Sequence, residues 1–378
     1  MKTAFYFLLI LPLIAPLAAQ EQMKLFQKKN QAPTYRARVE NFWAWWSQNG
    51  ERIRLSVDED GGENAQPEIS EQIDKLCPDL AWVLGPHPDQ EAQGHSLTLS
   101  PEGSRSLLFL TSYWLKKAPK IPGWHFYSSR QANLNLADIG IQIGDLKINS
   151  QELWLTAEID ENKEALDITA WNPAFAEIEE NQAMQILYLL LDEAMGENGV
   201  EQWLGIIEIG DQKLAQSFPL TELPEQVKES QTRYNWEKHP LEETVSLLKF
   251  KSPSNEFTRK DLLSLASCHP NLATDYLENK GPFKNPIAKS GAEFIFLKVP
   301  RHHFPKGEEV STRSRFEDKL NQALESRDLG VVLGGGMGTE AGYIDLLIID
   351  GEESRQALQQ TVNELGLKGS KALPFTKR

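Results

Sequence analysis

The sequence predicts an α+β fold in two domains, and three observations carry that prediction. Short apolar runs switch between helical and strand periodicity without a regular βα repeat. The 378 residues suit two units of about 100–200 residues each. Composition also breaks near residue 281. Segment 281–378 holds 14 Lys/Arg against 13 Asp/Glu, a balance of +1, while the rest carries −16 and all ten tryptophans.

The chain opens with Lys2 and an apolar run from Ala4 to Ala19, broken by Pro12 and Pro16 and ending in small residues. A spanning helix needs about 20 apolar residues, so this run reads as a signal peptide cleaved near Ala19. Residues 20–218 then form a tryptophan-rich, acidic α+β domain. Val39, Phe42, Trp43 and Trp46 fall on one face of a helix over Tyr35–Asn49, ended by Gly50. Ile53–Val57 reads as a strand, Glu68–Leu76 as a helix, and Leu80–Gly85 and Ser96–Ser100 as strands. Helix Ser104–Lys117 and strand Trp124–Ser128 follow. Glu152–Ile159 and Leu166–Trp171 make a hairpin, and helix Glu177–Met195 with strand Trp203–Ile209 extends the same sheet.

Residues 219–280, rich in proline and charge, read as a partly helical connecting region. The C-terminal domain, 281–378, begins with strand Ala292–Val299 and helix Ser311–Ser326, whose Phe316, Leu320 and Leu324 share a face. Strands Gly330–Leu333 and Tyr343–Ile349, helix Ser354–Leu365 and strand Ala372–Thr376 complete it. That order is βαββαβ, the ferredoxin-like sandwich of an antiparallel sheet under two helices. The larger N-terminal domain shows a related order.

A net charge of −15 disfavours nucleic acid and anionic lipid as partners. No later segment reaches spanning length, so the mature chain is expected to be soluble, in the periplasm or outside the cell. Cys77 and Cys268 are its only cysteines. They read either as a disulfide joining the two halves or as two buried thiols.

Motifs with chemical potential are few. Gly334, Gly335, Gly336 and Gly338 lack the lysine or fingerprint of a phosphate loop and open onto a strand. They read as a hairpin loop, with a backbone nest for an anion or peptide carboxylate as the functional alternative. Asp58–Glu63 resembles the start of a calcium loop, but Ile69 stands where the closing glutamate belongs. His302 and His303, near Glu308 and Glu309, are the metal candidates. Glu197, beside a helix end at Gly196, and His125, after Pro119–Trp124, are the acid/base candidates. Cys268-His269 is a neighbour pair of the kind that seldom forms a catalytic dyad. No cofactor is expected.

Four signatures, Phe42-Trp43-Ala44-Trp45-Trp46, Ala118-Pro119 with Gly123-Trp124-His125-Phe126, Leu191–Glu197, and Gly334–Gly338 with Tyr343–Leu346, resemble those of uncharacterised bacterial proteins built of domains of unknown function. Such relatives lack a leader, so export is a departure. The resemblance implies no established activity, substrate or catalytic residue and lends weight to a binding role. The expected function is therefore a non-catalytic binding protein of the bacterial envelope with a protein or peptide partner. The alternatives are an envelope hydrolase using Glu197, His125 or the histidine pair, and a structural envelope component.

Overall fold

Helix α1 (Tyr35–Asp60) opens the computed structural model, which describes residues 32–78, 80–87, 94–143, 146–250, 259–278 and 283–375. The leader expected over residues 1–19 lies outside these. Along α1, Val39, Phe42, Trp43, Trp46, Gly50, Ile53 and Val57 are buried, a single stripe at helical spacing. Gly50 therefore does not end the helix, and Ile53–Val57 is helical rather than a strand. Trp124 Nε1 donates to the Gly50 carbonyl at 3.0 Å, and a Cβ at Gly50 would stand 3.2 Å from Trp46 Nε1. The glycine lets two indoles close on the backbone. The true stop is Gly61 at φ 72°, where the amides of Gly61 and Gly62 return to the carbonyls of Val57 and Ser56. The acidic turn is this helix end, with Asp60 accepting from the Gly62 amide at 2.8 Å.

Helix α2 (Gln66–Leu76), strands β1 (Ala81–Pro86) and β2 (His95–Ser100), helix α3 (Arg105–Lys116) and strand β3 (Trp124–Tyr127) follow. β1 and β2 are antiparallel, and β3 lies parallel to β2. With its first expected strand absorbed into α1, this segment does not repeat the C-terminal element order.

A second assembly holds hairpin β4 (Gly140–Ile143) and β5 (Leu146–Asn149) and the expected hairpin β6 (Trp154–Asp160) and β7 (Ala165–Trp171). Helices α4 (Glu180–Met195) and α5 (Glu197–Trp203), strands β8 (Leu204–Ile209) and β9 (Phe218–Pro219) and helix α6 (Leu223–Tyr234) complete it. Its sheet, ordered β8-β7-β6-β9, stands apart from β1–β3 instead of extending them. Leu155, Ile168, Ile186, Leu190 and Leu223 belong to a separate core beneath it.

The last assembly contains β10 (Ser246–Lys249), β11 (Leu262–Ser267), α7 (Pro270–Glu278), β12 (Glu293–Pro300), α8 (Glu309–Glu325), β13 (Gly330–Gly338), β14 (Ala341–Ile348), α9 (Gly351–Glu364) and β15 (Lys371–Pro374). Its six strands run β10-β11-β13-β14-β12-β15, every neighbour antiparallel. The molecule is thus mixed α and β with several small sheets. Among the described residues, no helix is long and apolar enough to cross a membrane.

Side-chain alternation on β14 shows how the centre of the six-stranded sheet is buried on both faces. Ile344, Leu346 and Ile348 join Leu320, Leu324 and Leu358 of α8 and α9. Tyr343 and Leu347 turn the other way, into a cluster shared with Tyr35, Trp46 and Trp114. The buried cores therefore cross the boundary that composition suggested at 219–280. That segment is more than a connector: it carries the helices α6 and α7 and the strands β10 and β11, and Leu262, Leu265, Cys268 and Leu272 are core. Polar bolts reinforce the union. Tyr35 N and Arg36 N donate to the carbonyls of Gly291 and Ile349 at 3.2 and 3.1 Å, and Thr34 Oγ1 donates to Asp350 at 2.9 Å.

Candidate functional site

The small sheet β1-β2-β3 has two chemically opposite faces, because successive side chains on a strand alternate. Leu97, Leu99, Trp124 and Phe126 enter or pack against the tryptophan-rich core. Ser96, Thr98 and Ser100 of β2 and His125 and Tyr127 of β3 share the opposite face, since Ser96 pairs with His125 and Thr98 with Tyr127. These three hydroxyl residues are buried even so. His87, just past β1, meets His125 edge to face with ring centres 4.2 Å apart, and its Nε2 lies 2.7 Å from the Tyr127 hydroxyl.

β3 is an edge strand: among the described residues no strand pairs with its far side. Along that side runs a trough of about 450 Å³. Leu115, Pro119, Ile121 and Pro122 wall it, with Trp124 and Phe126 contributed by β3 itself. The prolines follow from the local sequence. They stop the chain after α3 and, lacking N–H groups, cannot themselves pair with the strand edge.

At the other end of the polar face the Ser100 hydroxyl forms a node. It stands 2.6 Å from Glu197 Oε1 and 2.9 Å from Glu102 Oε1, donating its one proton to a carboxylate. It accepts from Arg130 Nε and Glu102 N, each at 3.2 Å. Glu197 Oε2 accepts the Arg130 amide at 2.9 Å, and Arg130 Nη2 bonds Glu102. Glu197 is buried at the first turn of α5, where a carboxylate suits the helix dipole. The two acid/base candidates, Glu197 and His125, thus lie along one face. Ser100 and Ser96 are four residues apart, ~13 Å at strand rise, too far for a dyad.

Asp192, in the last turn of α4, has its carboxyl raised from 3.8 to about 7, first by burial and then by the charge of Glu197. The folded state holds this proton more tightly than the unfolded chain. Its stability contribution is therefore complete below about 4 and is lost as pH rises through about 7. Asp192→Asn should leave acid stability unchanged and raise stability at pH 8, by on the order of 1–2 kcal/mol given the solvent screening of a half-buried group. Denaturant midpoints at pH 4 and pH 8 check this; equal shifts at both would refute it.

Elsewhere the candidate residues have structural partners. Cys77 and Cys268 are both buried and form no disulfide with each other, and burial pushes the Cys268 thiol up to about 12. His269 caps α7: its Nδ1 accepts the Leu272 amide at 3.3 Å, and its Nε2 lies 2.7 Å from the Ser106 hydroxyl. Burial, then the charge of Arg105, lowers it to about 3, so the ring is neutral and Nε2–H donates to Ser106. His302 and His303 sit on a 3-10 turn after β12, rings 4.2 Å apart, and His303 Nε2 donates to the Lys368 carbonyl at 2.9 Å. Glu309 is taken by Arg301 at 2.6 Å and by the Gly307 amide at 2.8 Å. Among the described residues no group of three His, Cys, Asp or Glu side chains is placed to hold a metal ion.

Gly334, Gly335, Gly336 and Gly338 are not a hairpin loop. They lie inside β13, paired to β11 on one side and, through Gly336, to β14 on the other. Their backbone is committed to ladders where a nest needs consecutive open N–H groups. The absent side chains leave room for others: a Cβ at Gly335 would collide with Glu317 Oε1, which is paired with Arg313 at 2.8 Å.

Ser100, Arg130 and His87 were not singled out from the sequence. The strict alternation Ser96-Leu97-Thr98-Leu99-Ser100 was the available signal for a polar face; nothing local announces His87 or Arg130. No family model, no curated protein and no solved structure matches this chain.

Proposed function

We propose that the chain is a non-catalytic binding protein that takes an extended peptide as an added strand along β3. The observation that carries this is the outer edge of β3, with which no strand among the described residues pairs, beside a mostly apolar trough. Backbone groups on such an edge supply affinity, and the trough walled by Pro119, Ile121 and Pro122 supplies a pocket for alternate side chains. Glu197 and His125 share a face but stand at its opposite ends, and the His302–His303 pair lies after β12, a separation that favours binding over acid–base hydrolysis. In this reading the partner meets the mature chain after export, in the periplasm or outside the cell, on the support of the Ala4–Ala19 run. The unit β12-α8-β13-β14-α9-β15 is taken as ferredoxin-like. Its βαββαβ order and spatial order β13-β14-β12-β15 support this, with β10 and β11 added beside β13.

The test is selection from a randomised peptide library displayed on phage, followed by titration of the enriched peptide. Ile121 is half-buried against the core at the trough wall, so Ile121→Asp is scored only where circular dichroism matches the parent, and there it should weaken binding about tenfold or more, roughly 1.4 kcal/mol. Ile121→Val should bind like the parent. Failure to enrich any peptide, or an enriched peptide indifferent to Ile121→Asp, removes the proposal.

A further inference from the structure

A second cavity, unrelated to β3, lies where α3 meets the six-stranded sheet. Its volume is about 130 Å³. An apolar cavity of about 150 Å³ accommodates a benzene ring, so this one suits a body of that size. The floor is apolar: Phe109 from α3, Val331 from β13, and Leu347 and Ile349 from β14 and its end. One side opens to solvent past Glu242, Glu325, Asp328 and Lys116.

Charges at that mouth are unbalanced. Asp328 is neutralised by Lys117 and by Lys116 at 3.4 Å, which hold its carboxyl below the usual range. Glu242 and Glu325 form no ion pair among the described residues. The mouth therefore presents two uncompensated carboxylates above an apolar, ring-sized floor. An anion is repelled there, and a neutral apolar molecule leaves the acids unused. An ammonium on an apolar stem satisfies both features, because charged hydrogen bonds form at the rim while the body displaces water from the floor.

We propose that this cavity binds a small primary amine carried on an apolar ring, with its body against Phe109, Val331 and Leu347 and its ammonium at Glu242 and Glu325. The site is independent of the β3 trough, so either reading survives failure of the other.

Calorimetric titration of the full chain with benzylamine, benzyl alcohol and benzoate tests it. Benzylamine should bind, benzyl alcohol about tenfold more weakly, as loss of a charge-assisted hydrogen bond implies, and benzoate not at all. In the double variant Glu242→Gln/Glu325→Gln, benzylamine should fall to the level of the alcohol. Ser112→Phe, which fills the cavity from α3, should abolish binding of both while circular dichroism stays that of the parent. No heat with benzylamine, equal affinity for the alcohol, or binding that survives Ser112→Phe in the folded variant overturns the proposal.

Discussion

Gly334→Ala should be among the most damaging single substitutions in this chain. Gly334 sits at φ 134°, where a residue with a Cβ is strained, and a Cβ there would stand 2.1 Å from the carbonyl oxygen of Ala266 on β11. The obstacle is backbone in the middle of a six-stranded sheet, so no side-chain rotation relieves it. The register of β13 against β14 shifts between Val332 and Gly334, which marks a bulge. Leu333 points into the core shared with α1, whereas Met337 points toward α8. Strain of about 1–3 kcal/mol and overpacking of about 1–3 kcal/mol together predict a loss of roughly 2–6 kcal/mol. Gly366→Ala supplies the contrast. Gly366 also has positive φ, at 66°, but nothing lies within 4 Å of its Cβ position. It should lose only about 1 kcal/mol. Urea titration followed by tryptophan fluorescence measures both, and similar losses at the two sites would remove the packing account.

The same glycines show what a linear reading misses. A run of glycine suggests a loop because glycine is costly in a strand. Here the reason for glycine is not on β13 but on β11 and α8, roughly 20 to 70 residues away, whose atoms occupy the space. Gly50 misleads in the same way. Its backbone carbonyl receives Trp124, so the helix continues, and Ile53 and Val57 are buried at helical spacing despite their strand preference. Where an element's own periodicity decides, as in α3, α8, α9 and the β6–β7 hairpin, the reading and the structure agree to within a few residues.

The division into cores was not legible for a related reason. Charge and tryptophan content describe surfaces and local composition, whereas a shared core depends on which apolar faces meet. Tyr35 donates its hydroxyl to Leu110 O at 2.7 Å and its amide to Gly291 O, which joins three distant parts of the chain. At the candidate site, Glu197 stands out in the sequence as a carboxylate at a helix C-terminus, where it opposes the dipole. The structure instead has it open α5, where the dipole favours it. Its partners Ser100 and Arg130 come from other elements, and only the fold supplies them.

Asp345→Leu should be comparably destructive, for an electrostatic reason. Arg259 is 2% exposed, and its Nη2 stands 2.7 Å from Asp345 Oδ1, an ion contact whose angle falls short of a hydrogen bond. Around the guanidinium lie the rings of Phe296 at 4.1 Å, Tyr343 and Phe375 at 5.1 Å and Tyr276 at 5.3 Å. Removing the carboxylate leaves a buried cation whose charge faces, among the described residues, the aromatic rings, and breaking such a pair costs about 3–5 kcal/mol. The companion variant Arg259→Met/Asp345→Leu replaces both charges with apolar atoms of similar bulk. Because desolvating an ion pair offsets much of its attraction, this double variant should recover to within about 1 kcal/mol of the parent. Denaturant titration of the two single variants and the double variant closes the cycle. If the double variant stays as unstable as Asp345→Leu alone, then the rings hold the guanidinium by themselves, and the carboxylate is not what stabilises its burial.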